Sequence, residues 1–339
     1  MADSNWASGL QVSRWAKQLY YETAKEIYFE KFMGDGSDSM IQAKHDLEGS
    51  AGKDVTFGLL TNLSGSGVSG DDSLEGNEEA MSTYSQTVST AMKRNAVRDT
   101  GSFDNSKVLF DFRKEAMSVL KTWLAEKVDS DIFTSLSASP SRTFRADDGS
   151  STVAARSNES STAASLTSAD SISLADVSAM KRLAQVPEGS TELRMRPIRV
   201  EGKDHYVLLV HPEVAYDLTQ LSEWQQAQRE AQSRGSDNPL FSGALGVWDG
   251  VVIHAHENIS QADTGGSGSN LHYSVNLFMG AQAGLYARTG EPVWVEKTFD
   301  YGNQLGVAGG LIYGQAKATF NSEDYATIAY YTQNTDFTS

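Results

Sequence analysis

The strongest hydrophobic pattern in the 339-residue chain runs from roughly Asn105 to Leu136. Leu109, Phe112, Ala116, Val119, Leu120, Trp123, Leu124, Val128, Ile132 and Leu136 recur at helical spacing, with Arg113, Lys114, Lys121, Glu126 and Lys127 between them. That stripe predicts one long amphipathic helix. At ~1.5 Å per residue it spans about 45 Å, enough to cross a domain. A second stripe, Val12, Trp15, Leu19, Ala24, Ile27 and Tyr28, predicts an N-terminal helix over residues 10 to 32. Its aromatic face precedes any obvious core, and suits a partner's surface as well as its own domain.

Between these helices the period changes to two. "KDVTFGLLTNL" reads as a strand and "STYSQTVSTAMKRNAV" as its return partner, separated by about twenty residues of Gly, Ser, Asp and Glu. A two-stranded ribbon of this kind is marginal alone in water and needs a surface to lie on. Residues 139 to 171 are rich in Ser and Thr and poor in large apolar side chains, the pattern of a surface loop or insertion. "LADVSAMKRLAQV" predicts a short helix capped by Ser173. Residues 190 to 285 have an α+β texture. "HYVLLVH" reads as a buried strand, Pro212 opens a helix that stops at Gly235, and "GVVIHAHENI" and "LHYSVNLFMG" read as further strands. The remaining segment reads as strands joined by Gly-rich turns.

Composition narrows the function classes. A length of 339 residues suggests about two domains. The formal charge of −16 disfavours a nucleic-acid binder, whose affinity rests on Lys and Arg neutralising phosphates. The chain has no cysteine, which excludes disulfides and thiolate chemistry. The N-terminus lacks the apolar run of a signal peptide and no window approaches a membrane span, so a soluble protein made in a cytoplasm is expected.

Gly65-Ser66-Gly67-Val68-Ser69-Gly70 spells a G-x-G-x-x-G pattern. A dinucleotide site needs a helix to open within that motif, so that its amides face the pyrophosphate. Here Asp71, Asp72, Glu75, Glu78 and Glu79 follow instead and would repel a phosphate. The glycines therefore serve the shape of a loop tip. His254 and His256, two apart on a strand, share one face at a spacing metals use, but no further ligand is fixed. The bland reading is a half-exposed histidine pair; the chemical one is a metal-dependent hydrolase. His211, before Pro212, reads as a cap. No G-x-S-x-G elbow joins a strand to a helix, and the Asp71–Gly76 stretch lacks the twelfth-position acid of a calcium loop. No cofactor is expected. Arg229 and Arg234 on a polar helix suit pairs between subunits.

Three phrases carry a resemblance: "LEGNEEAMSTYSQTVSTAMKRNAVRDTG" (74–101), "HPEVAYDLTQLSEWQQAQREAQSRGSDNPLFSGALGVWDGVVIHAHE" (211–257) and "GLIYGQAKATFNSEDYATIAYYT" (310–332). In order and spacing they resemble the podovirus-type major capsid family of tailed bacteriophages. The resemblance implies an α+β fold of the Hong Kong 97 type, with an N-terminal arm (1–40) and an extended loop (41–101). A peripheral domain carrying the spine helix (102–189) follows, then a mainly axial domain (190–285) and a return to the peripheral domain (286–339). The Ser/Thr tract at 139–171 and the two strand histidines depart from the family pattern.

By that similarity the protein is a structural subunit without catalysis. It assembles with copies of itself, as hexamers and pentamers, into an icosahedral shell around double-stranded DNA. Portal and scaffold or decoration proteins are implied partners, and the virion, built in the host cytoplasm, is the implied location. DNA is contents rather than ligand, since an acidic inner wall lets it slide. The ribbon would lie on the adjacent subunit. Candidate contacts are Gly65, Gly67 and Gly70 with Glu75, Glu78 and Glu79 at its tip, together with Trp15, Arg229 and Arg234. A different phage structural protein or an adhesin is the remaining alternative, against which the helix-rich N-terminal half argues.

Overall fold

The computed structural model describes residues 8–47, 54–60, 68–70, 73, 75, 83–101, 111–147, 162–186, 194–200, 202–230, 243–266, 271–290 and 292–334. Helix α1 (Ser8–Glu26) leads through a 3-10 turn, Tyr28–Phe32, into β1 (Met33–Gly34) and β2 (Ile41–Leu47). The ribbon strands β3 (Asp54–Leu60) and β4 (Thr83–Ser89) follow, then β5 (Ala91–Arg98) and the long helix α2 (Phe112–Ser137). Next come β6 (Thr143–Arg145), α3 (Leu174–Gln185), β7 (Ile198–Val200), β8 (Lys203–Val210), α4 (Pro212–Gln220) and α5 (Ser222–Glu230). The chain continues with β9 (Gly246–Trp248), β10 (Val251–Ala255), β11 (Gln261–Gly265), β12 (Leu271–Met279), β13 (Gly284–Thr289) and β14 (Val293–Phe299). It closes with β15 (Gln304–Lys317), β16 (Thr319–Phe320), β17 (Glu323–Asp324) and β18 (Thr327–Gln333).

Two sheets result. In the first, β13 and β14 lie in succession along one edge of β15 while β5 lines the other, and β2 runs parallel to β13. In the second the order is β6-β18-β12-β8-β10-β9. The parallel neighbours β8 and β10 are joined through α4 and α5, the crossover such a pair requires. Val207 to Val210 and Val251 to Ile253 are wholly buried, as strands covered on both faces must be.

Helix α2 starts at Asp111, whose carboxylate accepts the Arg113 N–H at 3.0 Å. Its buried stripe is Ala116, Met117, Leu120, Leu124, Ala125, Val128, Ile132, Phe133 and Leu136. Val119, expected within the stripe, is 58% exposed, and Leu109 lies outside the described residues. Helices α1 and α2 both pack on β15, where Gly309 makes room: a Cβ there would sit 2.8 Å from Leu19 Cδ2 and 3.5 Å from Leu120 Cδ1. At the other end of α2, Lys317 donates to Ala138 O at 2.7 Å and pairs with Asp324 at 2.6 Å. This cation caps the helix C-terminus, where the free carbonyls and the dipole favour positive charge.

Several expectations needed correction. The N-terminal helix ends at Glu26, not 32, because Asp129 of α2 takes the Tyr28 and Phe29 N–H groups at 2.8 and 3.2 Å and turns the chain. The helix opened by Pro212 breaks at Leu221, whose ψ of 126° leads out of α4 while its carbonyl accepts Gln225 N–H to start α5. Only β4 returns along β3; after Thr90 the same strand changes partner and continues as β5 along β15. Residues 284–317 join the first sheet, but β18 crosses back into the second, where Thr327 to Tyr330 are buried between β6 and β12. Within the Ser/Thr tract, β6 pairs with β18, and a short 3-10 turn lies at 163–165.

The ribbon also differs from expectation. Along β3, exposed Asp54, Thr56 and Gly58 alternate with buried Val55, Phe57 and Leu59, and Val88 of β4 joins that inner face. Lys44 donates to Thr56 O at 3.0 Å and lies 5.2 Å from the Phe57 ring centre. Gln86 bonds the backbone on both sides of Ala318. The described base of the ribbon thus finds cover within its own chain for Val55, Phe57, Leu59 and Val88, while Tyr84 on β4 remains 42% exposed.

Candidate subunit interface

The sequence singled out surface residues rather than a catalytic set, and the structure separates them. Gly70 has φ +69°, is exposed, and has open space where a Cβ would stand; it is glycine for backbone conformation, not for close packing. Glu75 is exposed at a turn, its carbonyl accepting from Ser73 Oγ at 3.4 Å. Gly65, Gly67, Glu78, Glu79 and Arg234 lie outside the described residues. Arg229 is exposed near the end of α5, with only a long contact of 3.4 Å to Gln225. Trp15 is half-buried and stacks on the buried Trp294 of β14, ring centres 6.0 Å apart, so its ring already packs within its own chain.

His254 and His256 are not a half-exposed pair. His254 is fully buried with its ring edge against Phe32 at 5.2 Å. His256 lies 4.2 Å from the Tyr28 ring and 4.7 Å from that of Phe133, and its Nδ1 accepts Asn258 N–H at 3.1 Å. Burial pushes its pKa below the ordinary imidazole value. Both rings therefore serve the joint between the N-terminal turn, α2 and β10. Among the described residues no three His, Asp or Glu side chains gather to hold a metal.

A polar cluster that spacing did not reveal sits where α4 meets β11, β12 and the end of β18. His211 caps α4 through its Nδ1, as expected. His272 places Nδ1 2.5 Å from Asp263 and Nε2 3.0 Å from Glu213, so both ring nitrogens face carboxylates. Burial alone would lower the His272 pKa, but the bonds to Asp263 and Glu213 outweigh it and hold it above the usual value. Burial likewise pushes Glu213 up, but donation from His272, Gln261 and Asn334 leaves it below the usual carboxylate range. The arrangement clamps three strands to a helix. No sequence signal pairs Glu213 with His272, because 59 residues separate them.

The surface also presents apolar groups that sequence reasoning did not select. Tyr301 stands fully exposed at the turn between β14 and β15, with φ +49°, an uncommon conformation for a bulky residue. Val295 on β14 is 53% exposed and Met92 on β5 43%. No described strand pairs with the outer edge of β5. An aromatic residue in the turn sequence Asp300-Tyr301-Gly302 is the signal that marks this tip.

This architecture has known counterparts. The profile of the family described as "Phage capsid protein" matches residues 4–337, nearly the whole chain. The chain belongs to that family. It is 29% identical to the major capsid protein of Pseudomonas phage KPP25, over 95% of this chain and 94% of that one. The capsid of Ralstonia phage GP4 superposes with a TM-score of 0.77 at 29% identity, covering 100% of this chain and 97% of that one. The capsid asymmetric unit of cyanophage Pam1 aligns with a TM-score of 0.72, covering 98% and 99%; at 22% identity this likeness speaks for the fold. The expected α+β capsid fold of the Hong Kong 97 type is the one observed. No relative supports a metal-dependent hydrolase. None of the described helices is long and apolar enough to cross a membrane.

Proposed function

We propose that this protein is a major capsid protein that assembles with copies of itself, as hexamers and pentamers, into the icosahedral shell enclosing double-stranded DNA. The observation that carries this reading is the end-to-end match to capsid subunits, in a chain whose polar clusters clamp structure together instead of opening to a substrate. The role is structural, without catalysis. Residues 1–40 act as the N-terminal arm and 41–101 as the extended loop. Residues 102–189, with α2, and 286–339 form the peripheral domain and 190–285 mainly the axial domain, while β1, β2 and β5 tie the arm and the loop into the first sheet. Rings form because a heterologous contact that closes by rotation generates them. The formal charge of −16 keeps packaged DNA from sticking to the wall. A portal and a scaffold or decoration protein complete the particle, which is built in the host cytoplasm and persists as the virion capsid.

Electron microscopy of the expressed protein tests this directly. Ring-shaped capsomers or closed particles are expected. A protein that stays monomeric under every assembly condition, alone and with the phage's other head proteins, ends the proposal.

A further inference from the structure

The segment Arg194-Met195-Arg196-Pro197-Ile198-Arg199 places three arginines within six residues of a chain whose formal charge is −16. They line a cleft of about 300 Å³ together with Asp38, Asp204, Met195 and Pro197. Its floor is held still. Met195 N–H donates to Ala184 O at 2.9 Å, Met195 O accepts from Tyr206 Oη at 3.3 Å, and Arg196 O accepts from Ala281 N–H at 2.8 Å. Gly280 admits that last approach, since a Cβ there would meet Arg196 O at 2.6 Å. Pro197 fixes the backbone further. A cleft held this way loses little freedom when it is filled.

Among the described residues its charges are not matched. Arg196 pairs with Asp38 at 2.7 Å and Arg199 with Asp204 at 3.2 Å, whereas Arg194 is exposed and makes no hydrogen bond or ion pair with another described residue. Asp38 and Arg199 are each more than three-quarters exposed, so both pairs contribute little and yield readily to another carboxylate. Among its described lining residues, three guanidinium groups face two carboxylates, an excess of one positive charge. Guanidinium binds carboxylate with two parallel hydrogen bonds, so a segment dense in acids is the matching occupant. The chain carries such a segment: Asp71, Asp72, Glu75, Glu78 and Glu79, of which Glu75 is exposed.

We infer that the cleft formed by Arg194, Arg196 and Arg199 receives the acidic loop tip of a second copy of this chain. The inference rests on the assembly reading and names one contact within it. Strongly acidic copies repel one another at long range, and a local basic seat for an acidic tip fixes which faces meet. It complements the apolar cover that the base of the ribbon already finds in its own chain.

Because the chain lacks cysteine, Ser73→Cys with Arg199→Cys introduces the only thiol pair. Oxidised capsomers or particles of this double variant are expected to give a ladder of covalently joined copies on a non-reducing gel. Either single variant should stop at dimers. In parallel, Arg194→Glu with Arg199→Glu should lower particle yield about tenfold or more, and adding Asp72→Lys with Glu75→Lys should restore it to within about threefold. Circular dichroism and the thermal midpoint establish that each variant folds. Particles without a ladder, or a cross-link confined within single chains, overturn the inference. So does wild-type yield from the double arginine variant. Normal yield with less packaged DNA would assign the cleft to nucleic-acid phosphate instead. Failure of the wild-type protein to assemble at all overturns the assembly reading, and this contact with it.

Discussion

Helix α2 and the β14–β15 hairpin leave the same first sheet and treat solvent in opposite ways. Along α2, Leu120, Leu124, Val128 and Leu136 are each 0–1% exposed, covered by α1 and β15 of the same chain. At the hairpin, Val295 is half-exposed and Tyr301 stands wholly in water. The buried stripe of the first region is covered within the chain, with Val119 alone of its expected and described apolar positions exposed, whereas the tip of the second stands in solvent. This exposed aromatic tip is expected to meet another copy in the assembly. The contrast teaches that stability and assembly are carried by different residues here, so they can be perturbed separately.

The largest expected effect tests the covered half. Lys317→Met removes the cation between Asp324 and the end of α2 and leaves a carboxylate whose side chain is 2% exposed with the Ser141 N–H but no counter-charge from Lys317. Losing one member of such a pair costs about 3–5 kcal/mol. Urea unfolding of the unassembled protein should show that loss, and Lys317→Met with Asp324→Leu should recover much of it. A loss below about 1 kcal/mol would mean that the pair is screened by solvent in the unassembled protein.

Next in size is the joint between the N-terminal arm and α2. Burial pushes Asp129 up to about 6, from an ordinary carboxylate value of 3.8, although the N–H groups of Tyr28 and Phe29 pull the other way. Because the folded pKa lies above the unfolded one, the folded state holds the proton more tightly. The favourable contribution is therefore full below about pH 4, is lost as pH rises to about 6, and is level beyond. Asp129→Asn cannot titrate. Its stability relative to wild type should rise by about 2 kcal/mol between pH 4 and 7, measured by denaturant unfolding at each pH. A constant difference would show that the arm's turn does not bury this carboxylate in solution.

The smallest stability effect belongs to the rim. Tyr301→Ser should change the unfolding free energy of the unassembled protein by no more than about 0.5 kcal/mol. Particle yield, by contrast, should fall severalfold in a sedimentation assay. Normal assembly of this variant would remove the hairpin tip from the contact surfaces and blur the contrast between the two regions.

Much of the fold was legible because its patterns are local. The α2 stripe, the Ser173 cap and the alternation of Val55, Phe57 and Leu59 each state a period that one chain satisfies. Less legible were features set by distant partners. Asp129 ends the N-terminal helix from about a hundred residues away, and β4 changes partner at Thr90 because β15 waits there. The histidine pair misled for the same reason: strand spacing put His254 and His256 on one face, but said nothing of the aromatic turn that covers them. The arginines were visible in the sequence, yet only the fold shows that they share a cleft with Asp38 and Asp204.

The change of partner at Thr90 has a mechanical consequence. Because β5 follows β4 with only Thr90 between them, a pull along β4 is delivered to the eight registered positions that bind β5 to β15. Those hydrogen bonds run across the strand axis, so tension loads them together instead of opening them one at a time. The ribbon is therefore anchored as a tendon is anchored, spliced lengthwise into the body, so that tension along it is borne by the β5–β15 ladder as a whole.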